Sequence, residues 1–556
     1  MKFNHKYLYI SVVALVLATS CKKDLDVKNP NQLDFTNLTT ESDIISIAQG
    51  GTYVNGFNGP GGNSLGWLGD SYFSLGLGYH SLLGDEVGAE AANQLINQVS
   101  LPDKVTYDDG TSTINSAPSK QVFKINNTIF NKGNNAVYFE WLSMYALNNA
   151  SNKTLFYLNQ VNYSSDSIAK KNVLRAWAYF WKGFAYSKIG SMYIAGLAVN
   201  NSVDATKPEN SNYLSNNNMI VESNRYYDLA ISTLNGIANA NVVTDYMSKL
   251  IPVFCQIGNG GIISKDMWIR NINTLKARNL LVNKSLTGIG GLTAMNIADW
   301  NTILTLTANG IKNNDFVFTG RTAAANGFFT AGSGSVQAMT AISSATAGLK
   351  TFRLSERLYQ DFKNGDARKI NNFVLKDYKN QVGGFTFSTR YAFKNAGNGG
   401  SAAVIANNGV GSQEIFIGAS FEENELMKAE ANINIGGINL NTGLLQIDNV
   451  RTYQNAALPA LGGTLISVAQ AKEELRLERR TALALRGLAF YDARRIGYTF
   501  DISKGGSRTK CVVYKADGTL NTNATLNYNF YAYWDVPDNE LYINQPAPGS
   551  ADVKNP

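Results

Sequence analysis

Glu473-Glu474-Leu475-Arg476-Leu477-Glu478-Arg479-Arg480-Thr481-Ala482-Leu483-Ala484-Leu485-Arg486-Gly487-Leu488-Ala489-Phe490-Tyr491-Asp492-Ala493-Arg494-Arg495-Ile496-Gly497 is the stretch on which the fold turns. Apolar residues recur in it at helical spacing, and the period predicts one helix over residues 468–495. Charges at Glu478, Arg479 and Arg486 interrupt the apolar stripe. The pattern leaves two outcomes open. One is a solvated helix laced with surface ion pairs. The other is a helix whose charges are drawn inside and paired, since removing one member of a buried pair costs about 3–5 kcal/mol.

Outward from this stretch the helical period continues. Residues 171–189 place Leu174, Trp177, Ala178, Trp181, Ala185 and Ile189 on one face, with Gly190 as the expected stop. Segments 43–49, 135–160, 226–237, 266–284, 297–309, 422–434 and 442–453 repeat the idea. Pairs of amphipathic helices with aromatic and small residues suggest tetratricopeptide-type hairpins without a strict 34-residue repeat. Gly/Ala/Ser/Asn-rich stretches at 320–348 and 395–411 read as long surface loops, and short β pieces are expected at 316–319, 384–393 and 415–418.

At the other end, Lys2 and Lys6 precede an apolar run from Tyr7 to Leu17, and Ala18-Thr19-Ser20 put small residues before Cys21. This reads as a bacterial lipoprotein signal, with Leu17 four residues before the cysteine as a loose variant of the lipobox; the alternative is an ordinary cleaved signal peptide with an incidental cysteine. The run is shorter than the ~20 residues a spanning helix needs, so acyl chains on Cys21 are the expected membrane anchor. The expected organisation is a signal at 1–20, an extended tether at 21–40 containing Pro30, and one globule over 41–556 with parts at 41–265 and 266–556.

Composition narrows the chemistry. The 556 residues are 44% hydrophobic and 11% aromatic but only 16% charged, against roughly 25% in an average soluble domain. Polarity comes instead from Asn, Ser, Thr, Tyr and Gly, which suits a secreted protein handling neutral ligands. Loss of Lys2 and Lys6 takes the net charge from +7 to +5, too little over this length for nucleic acid. Besides Cys21 there are only Cys255 and Cys511, expected as buried free thiols, so a thiolate metal cage is excluded. His80 is the only histidine after the signal, which removes most imidazole-based hydrolase and metal chemistry.

The late stretch resembles the SusD/RagB outer-membrane lipoproteins of Bacteroidota. Their pattern runs Glu-Arg-Arg-x-Glu-Leu-Ala-Phe-Glu-Gly-x-Arg-Phe-x-Asp-Leu-Arg-Arg-x-Gly, matched here by Glu478, Arg479, Arg480, Leu483, Ala484, Gly487, Phe490, Asp492, Arg494, Arg495 and Gly497. Ala482 and Arg486 replace two acidic positions and Ala489 replaces a basic one, which points to a rewired ion network. Further likenesses are Arg175 to Phe180, Gly84-Asp85-Glu86, Asn424 to Ala431 with Asp448 to Arg451, and Asp538-Asn539-Glu540 through Gln545-Pro546. The resemblance implies a mainly α, SusD-like fold on a degenerate tetratricopeptide-type scaffold with long loops and a few short strands. It also implies a non-catalytic, lipid-anchored protein on the outer face of the outer membrane. Such a protein binds glycans, or in some relatives peptides, and passes them to a SusC-type TonB-dependent transporter as its extracellular lid. No cofactor or metal is expected.

Sugars offer apolar C–H faces and hydroxyl edges, so a site needs flat rings beside hydrogen-bonding groups. Two stretches supply candidates: Trp67, Asp70, Tyr72, Phe73, Tyr79 and His80 in the glycine-broken N-terminal region, and Trp268 with Arg270 in the centre, with Trp300 a lesser one. Each aromatic competes with plain core packing, the usual fate of such rings. Trp141, Trp177 and Trp181 lie on helical stripes and read as core, and Trp534 reads either way. Adjacent acidic pairs (Asp85/Glu86, Glu422/Glu423, Glu473/Glu474) do not face each other across a cleft, so they give no support to a surface glycosidase. Gly397-Asn398-Gly399-Gly400 lacks the Lys-Ser/Thr of a phosphate loop.

Overall fold

A computed structural model describes residues 38–58, 78–89, 95–131, 135–200, 210–321, 352–379, 387–394, 402–405 and 414–556. Cys21, Trp67, Asp70, Tyr72 and Phe73 lie outside the described residues.

Helices dominate. α1 (Glu41–Gln49) opens on a capping box in which Thr40 accepts from the Asp43 N–H and Asp43 answers to the Thr40 N–H. α2 (Ala136–Tyr157) and α3 (Ser167–Met192) pack together, and α4 (Asn216–Asn235) lies along α3. α3 runs through Gly190 rather than stopping there. A Cβ at Gly190 would lie 2.9 Å from both the Asn216 carbonyl oxygen and the Met219 Cβ, so this glycine lets α3 and α4 approach closely. α5 (Lys265–Val282) and α6 (Ile297–Ala308) lead to α7 (Phe421–Ile435), whose hairpin partner is α8 (Asn439–Tyr453).

The expected single helix over 468–495 is two: α9 (Val468–Ala482) and α10 (Ala489–Ile496). Leu485 and Gly487 between them take left-handed φ values of 58° and 71°, which end α9 and re-aim the chain. α10 stops at Gly497, also left-handed.

The described strands are short. β1 (Val87–Ala89) pairs with β5 (Phe352–Leu354), and β6 (Phe373–Tyr378) pairs antiparallel with β7 (Thr389–Phe393). β4 (Thr319–Arg321) pairs with β8 (Glu414–Phe416). The largest sheet has four antiparallel strands in the order β9 (Arg508–Tyr514), β10 (Leu520–Asn527), β2 (Lys104–Thr106), β3 (Ser112–Ile114). It joins the early chain to the late one.

One hydrophobic cluster extends from Ile44 to Leu541. Trp177, Phe180, Trp181, Trp268 and Phe318 form its aromatic centre, with Phe180 stacked on Phe318 at 4.7 Å between ring centroids. Cys255 and Cys511 are buried thiols that are not joined in a disulfide.

Glu478 and Arg479 of α9 are internal. Glu478, 1% exposed, accepts from Arg368 at 2.6 Å and from Arg451 at 2.9 Å, and Arg368 also binds Asp366. Arg479 and Arg495 share Asp492, while Arg495 also binds Glu430. Arg486, in place of an acidic residue, pairs with Glu422 at 2.8 Å and covers the Phe416 ring. Ala489, in place of a basic one, sits against Gly84, where an added Cβ would come within 2.5 Å of it. The network is rewired with its charges matched.

Candidate functional site

Two Asp-Gly turns build a cleft at one end of the four-stranded sheet. After β2 the chain reads Tyr107-Asp108-Asp109-Gly110-Thr111, and after β9 it reads Lys515-Ala516-Asp517-Gly518-Thr519. In each, the first residue donates its N–H to the last carbonyl at 2.9 Å. In each, the glycine takes a left-handed φ, 82° at Gly110 and 91° at Gly518, that an L side chain resists. In each, the aspartate Oδ1 accepts from the threonine N–H, at 2.9 Å for Asp109 and 2.8 Å for Asp517. Asp108 ties one turn to the other hairpin, accepting from the Thr522 and Asn523 N–H groups at 2.7 and 2.9 Å.

This places an amine over each of two rings. Lys515 Nζ lies 4.8 Å from the Tyr107 ring centre, and Lys379 Nζ lies 5.6 Å from that of Tyr514. Both tyrosines are half-buried. They line a cleft of about 340 Å³ together with Ser100, Thr113, Ser388 and Asp517. Phe387 also lines the cleft and lies on Gly88, where a Cβ would fall 2.3 Å from the ring.

Asp85 and Arg357 form the floor. Asp85 accepts from Arg357 Nε and Arg508 Nη1, each at 2.6 Å, and from Ser355 Oγ at 2.8 Å. Burial would raise its carboxyl, but Arg357, Arg508 and Arg480 hold it well below the usual carboxylate range. Its neighbour Glu86 behaves oppositely: burial pushes it up to about 7 against the lowering effects of Arg480 and the Leu485 N–H. Half-buried rings flanked by hydroxyls, an amine and a carboxylate can stack on apolar C–H faces and bond hydroxyl edges.

The sequence-derived candidates among the described residues sit elsewhere. Tyr79 is fully buried between Phe123 and Trp534, and His80 is 1% exposed with Nε2 2.8 Å from Glu140 Oε2. Trp268 is fully buried in the aromatic centre, and Trp300 is 4% exposed in a small cluster with Ile303 and Met427. These four are corrected from ligand platforms to core: each ring is covered by packed neighbours and offers no face to a ligand. Arg270 is partly exposed, but Asp315 holds it by two hydrogen bonds of 2.7 and 2.6 Å. Trp534 is also core.

Tyr107, Tyr514 and Lys515 escaped the sequence reading although Asp-Gly is a strong hairpin signal. β2 and β3 span three residues each, too few to display a strand period. Among the described residues no His, Cys, Asp or Glu cluster is arranged to hold a metal ion. No described helix is long and apolar enough to cross a membrane.

No family model matches the sequence, and no curated protein is similar to it. Solved structures do match. A SusD superfamily protein from Bacteroides thetaiotaomicron aligns over 93% of this chain and 100% of its own length, with a TM-score of 0.54 at 14% identity. The fold is SusD-like. A SusD-like carbohydrate binding protein from Bacteroides vulgatus covers 93% of this chain and 98% of its own at TM-score 0.52 and 13% identity. NanU from B. fragilis covers 93% and 97% at TM-score 0.53 and 14% identity. The SusD-like architecture is thus kept while most side chains differ. Mainly helical hairpins with few short strands agree with the tetratricopeptide-type scaffold read from the sequence.

Proposed function

We propose that this chain is a non-catalytic, cell-surface lipoprotein that binds glycans and delivers them to a SusC-type TonB-dependent transporter as its extracellular lid. The observation that carries the binding role is the pair of half-buried tyrosines, Tyr107 and Tyr514, set beside hydroxyl and charged groups in the cleft. Solved proteins of the same fold that are described as carbohydrate binding support the ligand class. The transporter partnership, and an anchor through acylated Cys21 on the outer membrane's outer face, rest on the signal and the motif likeness. Trp67, Asp70 and Tyr72 stay as proposed contacts from the sequence.

Affinity electrophoresis of the mature chain through a panel of neutral polysaccharides, with peptides run in parallel by titration calorimetry, tests the reading. Retardation by at least one polysaccharide, relieved in Tyr107→Ala and Tyr514→Ala, is the expected result. Ring removal should weaken binding by about 0.5–1.5 kcal/mol each. Retention of peptides alone, or polysaccharide binding indifferent to both substitutions, would sink the assignment to this cleft. Mass spectrometry of the membrane-extracted protein should find Cys21 acylated, and co-purification should recover a large β-barrel partner.

A further inference from the structure

A second cavity, of about 270 Å³, lies on the other side of the Gly84-Asp85-Glu86 turn, between α9 and α10. Leu83, Leu286, Leu475, Leu488 and Ile496 make its walls apolar. Arg476 and Arg479, three residues apart on α9, share one face of that helix and both line the cavity.

The two guanidinium groups are spent in the same way. Arg479 gives Nε and Nη2 to Asp492, each at 3.0 Å. Arg476 gives Nε and Nη2 to Glu473 at 2.8 and 2.7 Å, and Nη2 also reaches Asp361. Each keeps Nη1, which is buried and has no hydrogen-bond partner among the described residues. The Arg479 side chain lines the cavity and is only 4% exposed. Thr499 Oγ1 and Glu86 Oε2 also line the space without partners. Buried cationic donors left unpaired are unfavourable, and an oxygen-bearing anion relieves both at once.

We infer that this cavity binds a small monocarboxylate with an apolar body, one carboxylate oxygen on each Nη1 and the hydrocarbon against the leucine walls. Glu86, Glu473 and Asp492 around the cavity disfavour a dianion such as phosphate. The apolar walls disfavour an ion that keeps its hydration shell. Ala469, Lys472 and Glu473 are exposed and form the mouth. Asp85 and Tyr528 border both spaces, but Tyr107 and Tyr514 line only the glycan cleft, so the test does not depend on that assignment.

Titration calorimetry of the full mature chain with benzoate, acetate and inorganic phosphate distinguishes the outcomes. Benzoate should bind, acetate more weakly for want of an apolar body, and phosphate not at all. Arg476→Gln should weaken benzoate by at least about tenfold, the worth of one charge-assisted hydrogen bond. Ala469→Trp, a change at an exposed helical position that leaves the ion pairs intact, should block the mouth and abolish binding. Silence with benzoate in the wild-type chain overturns the inference. So does phosphate binding as tightly as benzoate, or benzoate binding unchanged in Ala469→Trp.

Discussion

Glu86→Gln should make the protein more stable, and only above mildly acidic pH. Glu86 is 1% exposed, accepts one hydrogen bond from the Leu485 N–H at 2.9 Å, and has no partner for Oε2 among the described residues. Burial lifts its carboxyl from the ordinary 4.5 to about 7. The folded chain therefore holds this proton more tightly than the unfolded chain does. Below pH 4.5 both states are protonated and ionisation costs nothing. As pH rises from 4.5 towards 7 the unfolded carboxyl ionises freely while the folded one resists, so stability falls across that window and levels off above it. At about 1.4 kcal/mol per unit, the difference amounts to on the order of 3 kcal/mol at alkaline pH. Gln keeps the Oε1 acceptor and removes the charge. Urea unfolding followed by tryptophan fluorescence and circular dichroism at pH 4.5 and pH 8.5, with superimposable transitions required, gives the comparison. The stability of the variant relative to wild type should rise by about that amount between the two pH values. Parallel profiles, or a variant that loses ground at pH 8.5, would refute a buried carboxyl with a raised pKa.

Glu478→Gln removes the carboxylate shared by buried Arg368 and Arg451, and urea unfolding should show a loss of about 3–5 kcal/mol. Gly84→Ala drives a methyl to 2.5 Å from Ala489 Cβ and 2.7 Å from its carbonyl carbon, so a lowered melting temperature is expected, equivalent to about 1–3 kcal/mol or more. Cys255 and Cys511 are buried, and burial raises the Cys511 thiol further, so both should resist a thiol reagent until denaturant is added. Rapid labelling of the native protein at either position would contradict the packing.

The sequence by itself determined a mainly helical chain and marked the α9 charges as either solvated or drawn inside and paired; the packed structure chose the second for Glu478 and Arg479. A 3.6-residue period over ten or more residues is a local signal, and Glu478 or Arg479 on an apolar stripe must find a partner or stay out of the core. It also placed the short strand pieces near 316–319, 384–393 and 415–418 within a few residues of β4, β7 and β8. Tertiary structure alone decided which rings are core and which face a cleft. Composition around Tyr79, His80, Trp268 and Trp300 does not say whether each ring is covered by packed neighbours, nor that Tyr107 and Tyr514 stay half-exposed. What does is the antiparallel pairing of residues 104–106 with 525–527, which brings two Asp-Gly turns some 400 residues apart to one sheet end. Likewise Gly190 reads as a helix stop until Met219 packs against it, and the break at Leu485 to Gly487 exists because α10 must turn to meet the Gly84 turn. Contacts between distant segments are set by the shape of the packed chain, and no window along the sequence contains that information.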